Sequence, residues 1–453
     1  MPIIVCLINL LKKLKFKIKD ISINHIISEK MEYTFIKSKS NKKSSITNLK
    51  ELSLSLNLKN PDTISKSIQI FDNYIKKKFN KDFDYYTNLL PYIIKWSNKE
   101  PPKMKLLESI EHGIQKNIFT REQIRIILAN SWLNNTCTIY DYNKKEQRKY
   151  GSLDWSHLFN YNTKVSINRI LCQLAYFYQQ LNATKDEDNE IVQFIRYSSS
   201  KNIKIVSKKI DTTKINIFTT RMEDSDAPVF VDFANCDLHI HKIMASCTQE
   251  EILFSVCPEA FVGLLFCERM DDHEIIYMTN LKRYSDYKGY YNTFEFNGFY
   301  SQNNSKIDMI AMDATNGKNE QIYKKGIQRD IKKAYLGFHT AQILENDKIV
   351  TGSWGCGIFG GNKLVKFLQQ ILAASLLDLS LDYSCAKVDF ASDKDTEYLI
   401  KLIELIKIIK MNQIKTDQIY NLLMNLDNIF ESNIDIEKYI IDTLKHKYDK
   451  FLS

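Results

Sequence analysis

Residues 349–379 read IVTGSWGCGIFGGNKLVKFLQQILAASLLDL, and their order sets the architecture. A β-branched pair, Ile349-Val350, enters Thr351-Gly-Ser-Trp-Gly-Cys-Gly-Ile-Phe-Gly-Gly361, and an apolar-periodic run from Lys363 to Leu379 follows. That is strand, glycine-rich turn, helix. Five of the chain's 13 Gly lie in residues 351–361. Clustered Gly lets backbone N–H groups wrap an anion, and a following helix N-terminus adds a favourable field. A ligand-free strand-to-helix turn is the simpler alternative. So many Gly in a Gly-poor chain favours a phosphate loop.

The alternation extends upstream. Ile203–Val206, Lys214–Phe218, Val229–Phe233, Ile275–Met278 and Ile307–Met312 predict strands, and Glu251–Glu268 between them has helical spacing. Strand alternating with helix predicts an α/β fold, a three-layer α/β/α domain over residues 201–395. Before it the spacing is helical, as in Ile124, Ile127, Leu128 and Trp132, or Ile167, Ile170, Leu171, Leu174, Ala175 and Tyr178. These runs predict a helical accessory domain over residues 61–200, with Thr184–Glu190 a charged loop or linker. Tyr398, Leu399, Leu402, Ile403, Leu405 and Ile406 predict a helical extension over 396–453. Residues 1–60, rich in Lys, Ser and Asn, read as a basic, poorly ordered lead.

The 453 residues are 44% hydrophobic, enough for a large core in two or more units. The nine Cys are scattered with no CxxC spacing, so neither a disulfide framework nor a zinc site is suggested, and a reducing compartment fits best. Residues 1–50 hold eleven Lys against three acidic residues, a net +8, leaving +1 of the chain's +9 for everything else. A nucleic-acid-binding enzyme spreads basic residues over its working face, so no direct nucleic-acid partner is expected. The apolar run Ile3–Leu11 precedes Lys12, Lys13, Lys15, Lys17 and Lys19, the reverse of a signal peptide, and is too short to span a bilayer. Lys37–Lys43 has the form of a nuclear-import patch. A monomer in the nucleus or cytoplasm is expected.

Thr248-Gln-Glu-Glu251 follows the strand ending in Val231-Asp-Phe-Ala-Asn235. Two adjacent carboxylates at the mouth of an α/β domain can divide the work of glycoside cleavage: one binds a sugar hydroxyl, the other protonates the leaving oxygen. Thr-x-x-Glu is also a capping box, which needs no ligand. Tyr284-Ser-Asp-Tyr-Lys-Gly-Tyr-Tyr291 offers rings for a base or ribose, or for ordinary packing. His239 and His241 form HxH without a third ligand, so no metal is expected. Gly355, Gly357 and Gly360 also spell GxGxxG, with Asp378 beyond, but too little chain follows to supply the remaining strands of a dinucleotide fold.

Together, Val231–Asn235, Gln249-Glu-Glu251, Tyr284–Tyr290 and Thr351–Gly361 resemble the poly(ADP-ribose) glycohydrolase family in order and approximate spacing. Smaller echoes are Cys257-Pro-Glu259, Asp313-Ala314 and Lys333–Phe338, so the likeness covers roughly residues 85–380. The resemblance implies a macrodomain preceded by a helical domain. It implies exo-type hydrolysis of ribose–ribose bonds in poly(ADP-ribose), releasing ADP-ribose without metal or organic cofactor. The partners implied are the polymer and ADP-ribosylated proteins. Glu251 would match the catalytic acid and Glu250 its ribose-binding neighbour. Asn235 would orient the distal ribose, and Gln249 and Glu223 would contact adenine. Tyr287 and Tyr290 would line the nucleotide, and Gly357, Ile358 and Phe359 the diphosphate. Where the family carries Gly-Gly-Gly, this chain has His239-Ile-His241, followed by Lys242 and Met244 at small or apolar positions; Ser353 replaces an Asn. The lost glycines raise a second expectation, a macrodomain that binds ADP-ribose or its polymer without cleaving it.

Overall fold

Alternate residues of the central strands face opposite ways, and each set meets its own layer of helices. Val229, Val231, Ile275 and Tyr277 join one core; Phe230, Ile276 and Met278 join the other. The computed structural model describes residues 32–33, 46–136, 151–301, 306–385, 393–432 and 434–452. Its eight-stranded sheet contains, in chain order, β1 (His112–Thr120), β2 (Ile191–Ser199), β3 (Ile215–Phe218), β4 (Val229–Asp232), β5 (Glu274–Lys282), β6 (Lys306–Ala311), β7 (Lys348–Thr351) and β8 (Ser380–Ser384). Across the sheet the order is β1-β2-β5-β6-β4-β7-β8-β3. Strands β6, β4, β7, β8 and β3 are mutually parallel, whereas β5, β2 and β1 add antiparallel pairings at one side.

The helices used below are α1 (Leu49–Leu56), α2 (Asp62–Lys78), α3 (Arg121–Trp132), α4 (Lys164–Gln180), α5 (Gln249–Val256), α6 (Lys324–Ile343), α7 (Lys363–Leu376), α8 (Asp393–Met411), α9 (Thr416–Met424) and α10 (Ile436–Leu452). One face of the sheet packs against α2 through α5 and the other against α6 through α10. The predicted three-layer α/β/α arrangement with helices before it is the observed one. Helices α3 and α4 cover the stretches that apolar spacing marked.

Several boundaries differ from expectation. Residues 46–60 are ordered: Asn48 caps α1, whose Leu52 and Leu56 are buried. The basic segments Ile3–Lys19 and Lys37–Lys43 lie outside the described residues. The span predicted to be helical over 61–200 contains β1 and β2, so the sheet reaches across residue 200. Thr184–Glu190 is a short helix, Lys185–Asn189, closed by a capping box from Thr184. The helix expected over Glu251–Glu268 ends at Val256, and a 3-10 helix, Pro258–Leu265, follows. Pro258 has no N–H to continue the ladder and drives Cys257 out of the helical region.

Ile203–Val206 forms no strand. Its neighbourhood bonds the C-terminal helices instead: Ile210 N–H donates to Ile414 O at 3.1 Å, and Lys208 N–H to Thr416 Oγ1 at 3.1 Å. β propensity yields here to the available partner. Among the described residues no helix is long and apolar enough to cross a membrane.

Candidate active site

Parallel strands deliver their loops to one edge of a sheet, and ligands of open α/β sheets bind there. Ile349 and Val350 of β7 pair with Val229 and Phe230 of β4, while Ile310 and Ala311 of β6 pair with Val231 and Asp232. The loops after β4, β6 and β7 therefore leave side by side. A Cβ on Gly352 would lie 3.5 Å from the Phe233 ring and 3.8 Å from Met222 Sδ, and Gln249 Nε2 is 3.9 Å from that sulfur. The start of the helix that carries the acidic pair and the start of the glycine-rich turn therefore meet at one edge of the sheet.

Helix α5 begins at that edge. Thr248 is its N-cap, and the capping box is real: Thr248 N–H and Oγ1–H donate to Glu251 Oε2 at 2.7 and 2.5 Å. Ser246 Oγ donates to Glu251 Oε1 at 3.1 Å. Glu250 accepts from the His239 N–H at 2.6 Å and the Asn235 N–H at 3.3 Å. Both carboxylates are buried. The cap geometry fixes Glu251, and the chain reversal after β4 fixes Glu250.

The two differ in charge. Burial, then the neighbouring Asp232 and Glu251, push the Glu250 carboxyl well above the usual range, against its two N–H donors. Burial also acts to raise Glu251, but His239, Arg169 and the Thr248 donors outweigh it and hold that carboxyl low. Burial followed by the Arg169 charge brings His239 itself down to about 4. His239 Nδ1 lies 2.6 Å from Lys242 O, which makes Nδ1 the protonated nitrogen.

Asp232 was quoted in the strand motif but not singled out. It is fully buried, and neither carboxylate oxygen has a hydrogen-bond partner. Burial and the Glu251 charge push its carboxyl well above the ordinary range. Strand position alone marked it as core; its clustering with Glu250 and Glu251 depends on α5 folding back over β4.

The remaining candidates fall on the walls. Both polar ends of the Gln249 amide are used within the protein: Nε2 donates to Val231 O at 3.0 Å, and Oε1 accepts from Phe233 N–H at 2.8 Å. Glu223 and Tyr287 meet, the phenol donating to the carboxylate at 2.8 Å, with the Arg221 guanidinium 4.7 Å above the Tyr287 ring. Burial, then the nearby Glu251 charge, pushes the Tyr290 phenol up to about 12, and the Gln249 N–H also reaches it. The backbone of Asn235 caps Glu250, while its Oδ1 accepts from Asp237 N–H at 3.0 Å.

In the glycine-rich turn, Trp354 is buried and donates Nε1–H to Met312 O at 2.9 Å. Gly355 has φ +72, and a Cβ there would sit 2.5 Å from Ala314 Cβ, so only Gly fits. Gln321 Nε2 holds Gly355 O and Phe359 O at 3.2 and 3.0 Å. The apex is open: a Cβ at Gly357 would touch nothing within 4 Å, and Ile358 is 87% exposed. Beneath the turn lies a buried ion network in which Lys366 pairs with Asp330, and Lys333 and Arg329 pair with Asp313.

His239, Ile240 and His241 all adopt left-handed backbone, at φ 50, 48 and 52. The position where a glycine run was expected thus keeps the conformation that glycine favours, at a steric cost of about 1–2 kcal/mol for each L-residue. Ile240 is 36% exposed and loses little burial if truncated. Ile240→Gly is therefore expected to stabilise the fold by about 0.5–1 kcal/mol after glycine's entropic penalty, read as a raised urea midpoint. A lowered midpoint would mean the loop is not strained.

Among the described residues no group of three or more His, Cys, Asp or Glu side chains is arranged to hold a metal. The sheet, the paired carboxylates on a helix start and the glycine-rich turn over one strand edge define a macrodomain-type protein with an acidic pair at that edge. Two family models match: "Poly (ADP-ribose) glycohydrolase (PARG), Macro domain fold" over residues 200–392, and the corresponding helical domain over residues 77–196. The chain belongs to the poly(ADP-ribose) glycohydrolase family.

Similar proteins include poly(ADP-ribose) glycohydrolase 1 of Caenorhabditis elegans, 32% identical over 225 residues, covering 45% of this chain and 28% of that protein. Poly(ADP-ribose) glycohydrolase 2 of the same organism is 28% identical over 238 residues, covering 48% and 47%. The matched stretches thus span less than half the length of these relatives. A solved glycohydrolase from Deinococcus radiodurans in complex with ADP-ribose is 15% identical with a TM-score of 0.28, covering 41% of this chain and 84% of that one.

Proposed function

We propose that this chain hydrolyses the ribose–ribose O-glycosidic bonds of poly(ADP-ribose) and releases ADP-ribose. The observation that carries the reading is the buried pair Glu250 and Glu251 at the start of α5, facing the glycine-rich turn across the edge where β4 and β7 end. Names of related proteins in the family point to the same substrate.

Glu251 gives a proton to the leaving ribose oxygen as the glycosidic carbon–oxygen bond breaks. Water then adds to the oxocarbenium carbon and returns a proton to the same carboxylate. In the free protein burial acts to raise Glu251, but His239, Arg169 and the Thr248 donors hold it low, so its proton arrives with substrate, whose diphosphate adds negative charge nearby. Glu250, raised by burial, presents a neutral carboxyl to a ribose hydroxyl. Asn235 orients the distal ribose. Glu223 with Tyr287, and Gln249 with Tyr290, form the base and ribose walls, and Gly357, Ile358 and Phe359 close over the diphosphate. Gln249 reaches adenine only by giving up one of its backbone bonds.

The protein acts in this reading as a monomer in the nucleus or cytoplasm, on polymer or ADP-ribosylated protein and not on nucleic acid. Light scattering and imaging of a fluorescent fusion test the first two points. For the reaction, purified wild type is incubated with poly(ADP-ribose), beside a variant carrying Gly at 239–241. ADP-ribose release by wild type is expected. Polymer binding without release by wild type, with release by the Gly variant, would establish the non-cleaving alternative instead.

A further inference from the structure

We propose that Arg169 is a positioning residue for the Glu250–Glu251 pair: one guanidinium on α4 holds both carboxylates in place, through His239 for one and Ser246 for the other. The inference rests on the glycohydrolase reading and adds a residue from the helical region to it.

Arg169 lies 70 residues from His239 in sequence, and its side chain is 1% exposed. All three of its guanidinium nitrogens are engaged, through four of the five N–H groups. Nε–H donates to Ser255 Oγ at 3.0 Å, one terminal nitrogen to Met244 O and Ser246 O at 2.5 and 3.0 Å, and the other meets His239 Nε2 at 3.0 Å. Two of these partners lead to a carboxylate. The His239 N–H holds Glu250, and the Ser246 hydroxyl holds Glu251. Ser255 Oγ–H donates to Glu251 O at 2.6 Å, one turn along α5.

The same guanidinium spans the left-handed loop. Residues 239–241 stay in an unfavourable conformation only if their surroundings over-determine it. A planar fork that takes an imidazole and two carbonyls from residues 239–246 at once supplies that constraint. His239 stands where a glycine was expected, and its ring gives Arg169 an acceptor that a glycine lacks. The titratable groups facing Arg169 are Glu250, Glu251, His239, Cys247 and Cys172. With the thiols and imidazole neutral, the guanidinium charge acts on the two carboxylates.

The test is the pH profile of ADP-ribose release by the full chain, for wild type, Arg169→Met, Arg169→Lys and Ser246→Ala, with thermal unfolding of each. In kcat/KM the alkaline limb reports loss of the Glu251 proton in the free protein. Arg169→Met removes a charge that favours the carboxylate, so the limb moves to higher pH by about one unit or more, and the maximal kcat falls at least about tenfold. Arg169→Lys keeps the charge and loses the fork: the limb stays and kcat falls. Ser246→Ala removes one donor to Glu251, so its limb moves up slightly while its unfolding temperature matches wild type.

Activity that falls only in proportion to folded protein, with every limb in place, would overturn the proposal. If Arg169→Met does not fold, Arg169→Lys and Ser246→Ala decide: unchanged kcat in both overturns it. Should wild type itself release no ADP-ribose, the hydrolase reading fails separately. The pH dependence of ADP-ribose affinity by calorimetry then judges Arg169, and an identical dependence in wild type and Arg169→Met refutes its role.

Discussion

Glu251→Gln lowers ADP-ribose release by about 10²–10⁴-fold, the range that a positioned general acid contributes. The amide keeps the length of the side chain; its one oxygen can still accept from Thr248, so the start of α5 stays capped, while its NH2 faces Ser246 as a donor. What disappears is the proton for the leaving oxygen. The fold should be intact by circular dichroism, and the loss should appear in kcat rather than KM. A pH signature accompanies it. The wild-type Glu251 carboxyl is held below the usual range in the free protein, and an approaching diphosphate raises it. Between those two values substrate binding takes up a proton, visible in calorimetry as an enthalpy that depends on the buffer. Glu251→Gln should abolish that uptake. Full activity in this variant would sink the assignment, and persistent uptake would move the titrating group to Glu250 or Asp232.

Asp330→Ala is expected to cost about 3–5 kcal/mol of stability, the usual penalty for breaking a buried ion pair from one side. Asp330 and Lys366 are both fully buried. The carboxylate also accepts from Thr315 N–H and Thr315 Oγ1, each at 2.9 Å, and from Arg329 at 3.1 Å. Without it, Lys366 loses its carboxylate partner in the core, where the Trp354 ring lies 4.6 Å away. Trp354 and the loop carrying Thr315 both belong to the floor of the glycine-rich turn. The loss should therefore reach ligand binding: at a temperature where the variant is folded, ADP-ribose affinity falls along with the denaturant midpoint. Wild-type affinity in a destabilised variant would separate the network from the turn.

Much of this was legible in residue order. Strand, glycine turn and helix in residues 349–379 required only local spacing and propensity, and β7 and α7 formed where those patterns lay. The adjacency of Glu250 and Glu251 is covalent, and the Thr248 cap is encoded within four residues. Such features depend on neighbours in the chain, so reading along the chain finds them. The misreadings share the opposite property. Ile203–Val206 has strand composition but hydrogen bonds to residues near 415, and β2 in the helical stretch became a strand because β5, some eighty residues on, pairs with it.

The identity of the carboxylates was therefore written in the chain, but their electrostatic roles were not. Capping and acid catalysis were posed as alternatives for Glu251; the cap is observed, and the proposed catalysis does not compete with it because the same helix start supports both. That Glu250 and Asp232 are raised while Glu251 is lowered follows from the groups the fold sets around each: burial wins at the first two, and His239, Arg169 and the Thr248 donors outweigh it at Glu251. So does the survival of a left-handed loop without glycine. Burial and field depend on atoms brought together from distant parts of the chain, and Coulomb and desolvation energies change within a few ångströms, a distance that sequence separation does not encode.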